Sequence, residues 1–98
     1  MKMDDSVGNK LTTKHNVSVR EIGEAFMNMN GPILKEMRPE HVTNPPTMWF
    51  LSRTDKGRIL KIVYLLVSGE VTIKSAYEPK QPTINYYCNK TKIAEADI

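Results

Sequence analysis

The apolar positions of this chain change their period once. Between residues 18 and 29, Val19, Ile22, Phe26 and Met29 recur at helical spacing, with Arg20, Glu21 and Glu24 on the other side. Ser18 is a good N-cap, and Glu21 three residues on completes a capping box in which each side chain satisfies an orphan backbone N–H. Val17 is placed to staple onto Ile22 across that cap. Gly31-Pro32 ends the pattern, because glycine accepts the left-handed conformation and proline refuses to continue a helix. The spacing predicts a helix over residues 18–28.

Beyond Gly31 the period falls to two. Residues 33–38 read as a first strand and residues 39–46, rich in Pro, Asn and Thr, as a loop. Residues 47–53 read as a strand with Trp49 and Phe50 on opposite faces, Trp49 serving as core. Asp55-Lys56-Gly57 is a turn, and residues 58–66 are apolar on both faces, as in a central strand covered on both sides. Ser68-Gly69 signals a second hairpin into a strand over residues 70–77. Pro79 and Pro82 stop the sheet, and Pro82 suits the first turn of a final helix carrying Tyr86, Tyr87 and Lys90. Residues 1–9 are polar and aperiodic and read as a flexible segment, followed by a short helical turn at 10–14; residues 93–98 read as a flexible tail. The expectation is an α+β fold: one domain over residues 10–92, an antiparallel sheet of three or four strands, and helices packed on one face. The other face, partly open, would hold a ligand.

Ninety-eight residues suffice for one domain with a small core. A barrel or doubly wound cofactor domain needs more chain. Hydrophobic residues at 40% and charged residues at 26% are ordinary globular usage. No apolar run approaches the roughly 20 residues of a membrane helix. Cys88 is the only cysteine and cannot form an intrachain disulfide, and no apolar signal region follows Met1. The expected compartment is the cytoplasm, with no membrane partner. Charge is uneven: residues 51–92 hold eight Lys or Arg against three acids, while residues 1–50 balance. A basic second half suggests a polyanion as partner, against the plainer reading of a solvated lysine surface.

Metal and cofactor chemistry find no motif. His15 and His41 stand far apart, and CxxC, HExxH, GxxxxGK[ST], GxGxxG and GxSxG are all missing, so no metal or cofactor is expected. What remains is a set of basic and aromatic residues: Lys14-His15 ahead of the first strong helix, Arg53, Arg58, Lys61 and Lys74 on or beside successive strands, Tyr77-Glu78 at the end of the last strand, and Tyr86 and Tyr87 on the final helix. RNA is cleaved without metal when its 2′-OH becomes the nucleophile. That requires a base, an acid and cations for the charge developing on phosphate. His15 with Glu78 or Tyr77 suits the proton transfers, and Arg53 and Lys61 suit the phosphate. Lys61 is the most pointed, because it interrupts the apolar run Ile59-Leu60-Lys61-Ile62-Val63 and must snorkel or find an anion. Lys14, Arg58, Lys74, Tyr86 and Tyr87 would hold the RNA, the tyrosines either stacking bases or packing in the core.

In this order the residues resemble the BrnT-type toxins of bacterial type II toxin–antitoxin modules, distant members of the RelE/ParE group. The resemblance lies in Lys14-His15-Asn16-Val17-Ser18 with Glu21 and Ala25-Phe26, in Gly57-Arg58-Ile59-Leu60-Lys61-Ile62-Val63-Tyr64, and in Val71-Thr72-Ile73-Lys74-Ser75-Ala76-Tyr77 followed by Tyr86 or Tyr87. It spans about residues 10–90. It implies a ribonuclease that slows translation and growth. It also implies a cognate antitoxin that binds the toxin tightly, the pair reaching operator DNA through the antitoxin. The chain departs from the family where Tyr77 takes the place of an arginine after Ser-Ala, and in a longer Trp49 strand and preceding loop. The alternative is a non-catalytic binding module on the same fold. An enzyme acting on ADP-ribosylated protein is disfavoured by the small size of the domain.

Overall fold

The computed structural model describes residues 1–3, 5–13, 15–38 and 44–98. The elements are α1 (Asp5–Thr13), α2 (Val19–Met27), β1 (Leu34–Lys35), β2 (Thr47–Arg53), β3 (Ile59–Val67), β4 (Glu70–Tyr77), α3 (Gln81–Thr91) and a closing 3-10 turn, Glu95–Asp97. The fold is α+β, with a four-stranded antiparallel sheet in the order β1-β2-β3-β4.

The capping box forms as its sequence dictates. Ser18 Oγ accepts from Glu21 N at 3.1 Å, and Ser18 N donates to Glu21 Oε1 at 3.0 Å. Ile22 and Ala25 on α2 are fully buried, while Val19 points outward, 58% exposed. Phe26 packs edge-on against Phe50 at 5.0 Å between ring centroids and also meets Tyr64. The two hairpins turn on Gly57 and Gly69, at φ 87° and 79°, which an L side chain adopts only with strain.

Strand alternation separates two sheet faces. Phe50, Ile62 and Tyr64 lie on the face that α2 covers. Trp49, Leu51, Lys61 and Tyr77 lie on the other, where Lys61 pairs with Leu51 of β2 and Tyr77 of β4. At the β1–β2 end of that second face, α3 comes against Trp49, with Tyr87 5.6 Å from it between centroids. The rest of this face, around Lys61, Val63 and Tyr77, is only half-buried.

Both termini differ from the expected flexible segments. Lys2 adds a parallel bridge to the outer edge of β4, its N–H donating to Val71 O and its carbonyl accepting from Ile73 N, both at 2.7 Å. α1 extends back to Asp5 rather than forming one turn at 10–14, and seats Leu11 in the core at 2% exposure. Its sequence is a poor helix former with only Val7 and Leu11 at i, i+4, so packing against β4 sets the helix where propensity could not. At the other end Ile98 is buried in the core cluster. The strand expected over residues 33–38 shrinks to Leu34–Lys35, extended by one bond from Glu36 N to Thr47 O. Lys14, His41 and residues 39–43 of the loop lie outside the described residues.

Candidate functional site

A line of side chains crosses the half-open sheet face. Lys61, pointing out of the central strand, holds its ammonium 4.5 Å from the Trp49 ring centroid and 5.9 Å from that of Tyr77. Tyr77 in turn lies 5.6 Å from the His15 ring, tilted by 37°. At the opposite end Tyr86 of α3 stacks on Trp49, with centroids 6.1 Å apart and planes 26° apart. Tyr86, Trp49, Lys61, Tyr77 and His15 thus form one continuous stripe built from α3, β2, β3, β4 and the α1–α2 turn. Lys61 is half-buried and makes no ion pair among the described residues. Its nearest neighbours are π faces, which favour a cation, and its charge also helps to hold the Glu36 carboxyl down.

His15 is positioned by its backbone. The turn between α1 and α2 passes through Asn16 in the left-handed region, at φ 52°. Arg58 clamps it: Nη2 donates to His15 O at 3.1 Å, and Nη1 to Asn16 O at 2.7 Å and to Glu21 Oε2 at 2.9 Å. Arg58 Nε donates to Glu78 Oε1 at 2.5 Å. One guanidinium therefore fixes the His15 turn, the α2 cap and the end of β4 together. Burial by itself would lower the Arg58 pKa, and the bonds to Glu78 and Glu21 outweigh it and raise it. The Glu21 carboxyl is held below its usual range, first by the Ser18 backbone N–H and then by Arg58.

The structure sorts the sequence candidates. His15, Lys61 and Tyr77 are brought into one stripe, with Glu78 attached to it through Arg58. Arg53 is withdrawn: its guanidinium donates to the main-chain oxygens of Gly57, Glu95 and Ile98 at 3.0, 3.2 and 3.2 Å, so it secures the C-terminal turn rather than a phosphate. Arg58 is withdrawn likewise, its donors committed to Glu21, Glu78 and two carbonyls. Tyr87 is a core residue, fully buried, with its hydroxyl donating to Pro32 O at 2.6 Å, and burial raises its pKa. Tyr86 alone of the pair offers a ring to solvent, 50% exposed. Lys74 is the extra residue of a β-bulge opposite Val63 and Tyr64, which breaks the alternation that would have aligned it with Lys61.

Sequence reasoning missed Lys35, Glu36 and Arg38, which line a pocket beside Trp49, Lys61 and Tyr86. The one available signal was the charged pattern of residues 35–38 in a strand-like stretch. Glu36 is bound by Arg38 through two bonds of 3.1 Å, and that hydrogen bonding holds its carboxyl down at about 2. Among the described residues no three His, Cys, Asp or Glu side chains are grouped as a metal site requires, and no helix is long and apolar enough to cross a membrane. No family model matches this chain, and no curated protein matches it significantly.

Proposed function

We propose that the chain is a metal-independent ribonuclease, the toxin of a toxin–antitoxin pair in the cytoplasm, acting on RNA laid along the Tyr86–His15 stripe. The observation that carries this reading is Lys61: a half-buried ammonium between two aromatic rings, without an ion-pair partner among the described residues, on the same stripe as His15. Such a cation suits a phosphate that gains charge in the transition state. His15, the imidazole of the stripe, takes the proton of the 2′-OH. The 2′-oxygen then bonds to phosphorus as the bond to the 5′-oxygen breaks, and that oxygen leaves with a proton from the Tyr77 side of the site. The products are a 2′,3′-cyclic phosphate and a 5′-hydroxyl. A cognate antitoxin would silence the protein by covering this stripe.

The second reading, a binding module without catalysis, is favoured by the two committed arginines. With Arg53 and Arg58 both engaged by the protein's own oxygens, Lys61 is left as the principal cation on the stripe itself. One experiment separates the two. The purified protein is incubated with total RNA in EDTA and the new ends are mapped. Cyclic-phosphate and 5′-hydroxyl ends that His15→Ala abolishes support the nuclease. No new ends with the wild-type protein, or ends that vanish with chelator, overturn it and leave the binding module. Induced expression with and without the neighbouring gene tests the toxin assignment, growth arrest relieved by the neighbour being the expected result.

A further inference from the structure

Cleavage at the His15 end leaves the other end of the stripe without a task. There Lys35, Glu36 and Arg38 of the β1 edge, Trp49 of β2, Lys61 of β3 and Tyr86 of α3 surround a cavity of about 280 Å³. That volume lies at the small end of ligand sites, which run from roughly 300 to 1,000 Å³. It suits one nucleotide and is too small for a dinucleotide cofactor. Its charges are not balanced. Glu36 is bound by Arg38 through two hydrogen bonds and also feels the charge of Lys61, so two cations face one carboxylate. Its wall carries an exposed ring, Tyr86, braced from behind by Trp49. Cations alone would suit any anion, an acidic peptide included. A flat exposed ring beside a surplus of positive charge suits a ligand with both a π face and a phosphate.

We infer that this pocket is a second RNA subsite, holding one nucleotide of a single strand beside the one that is cleaved. Its base stacks on Tyr86, and the phosphate that joins it to the cleaved nucleotide lies against Lys61. Lys61 reaches the rings of both Trp49 and Tyr77, so it joins this subsite to the His15 end. The inference rests on RNA being the ligand of the stripe but not on its being cut.

Trp49 is the only tryptophan of the chain and lines the pocket, so its fluorescence reports occupancy directly. The probe is a short 2′-O-methyl oligoribonucleotide, which lacks the nucleophile and is bound without being cleaved. Saturable quenching of Trp49 is expected. Tyr86→Ala should weaken binding by about tenfold or more, and Tyr86→Phe, which keeps the ring, should retain it. Lys56→Ala, in the distant β2–β3 turn, should leave the affinity unchanged. Wild-type affinity in Tyr86→Ala overturns the subsite, as does equal quenching by inorganic phosphate at the same concentration. Binding that depends on Tyr86 without any cleavage of natural RNA upholds the subsite and sinks the nuclease. Cleavage with binding indifferent to Tyr86 does the reverse.

Discussion

Arg58 Nη1 lies 2.9 Å from Glu21 Oε2, joining the start of β3 to the capping box of α2 across 37 positions of sequence. Glu21 serves two partners at once, since its other oxygen accepts from the Ser18 backbone. The pair is only about a quarter exposed on each side, so it is screened less than a surface ion pair.

Arg58→Ala should therefore destabilise the fold by about 2 kcal/mol, through the loss of charge-assisted bonds and the stranding of two acceptors. For a domain of this size that lowers Tm by about 8–16 °C. Arg58→Lys should restore little, because an ammonium cannot span Glu21, Glu78 and the His15–Asn16 carbonyls together. Thermal unfolding followed by circular dichroism reads both variants.

Lys61→Ala should separate chemistry from binding. If Lys61 meets charge that exists only in the transition state, its loss lowers the cleavage rate by about 10²–10³ with a smaller effect on affinity. Single-turnover cleavage set beside oligonucleotide affinity gives the answer. Equal losses in both would assign Lys61 to binding alone.

Glu36 should give the protein an acid-sensitive share of its stability. Its carboxyl is held at about 2 in the folded state, by hydrogen bonding to Arg38 first, against 4.5 ordinarily. The stabilisation is complete above about pH 4.5 and is lost as pH falls towards 2. Glu36→Gln should flatten the pH dependence across that window. Urea midpoints at pH 7 and pH 3 test it: the wild type should lose more between them than the variant.

Gly31 is held by close approach. A Cβ there would stand 2.8 Å from the Tyr87 hydroxyl and 2.8 Å from Ile93 Cδ1. Gly31→Ala should cost about 1–3 kcal/mol by overpacking. Tyr87→Phe should cost about 1 kcal/mol, for the lost bond to Pro32 O. The double variant should cost less than the two together, since removing the hydroxyl opens half of the space required. Chemical denaturation of all three closes the cycle.

What the sequence determined by itself is local. Ser18 and Glu21 announce the start of α2 because a capping box is satisfied within four residues. Gly57 and Gly69 announce the hairpins because only the turn's own φ decides them, and the period of two carries β2, β3 and β4 to within a residue or so of their ends. Trp49 as core and Lys61 as the odd cation of an apolar strand were both legible from alternation. What only the tertiary structure decided is which distant groups meet. Arg53 and Arg58 look like free cations in the sequence, yet their partners lie up to 45 positions away and consume them. Tyr86 and Tyr87 are neighbours with opposite fates, because one step along a helix turns a side chain by about 100° and only the position of Trp49 says which way is in. Lys74 falls out of line through a bulge that a period of two cannot encode. α1 exists because Leu11 finds a core to enter, a gain in burial that residues 5–13 have no means of showing on their own.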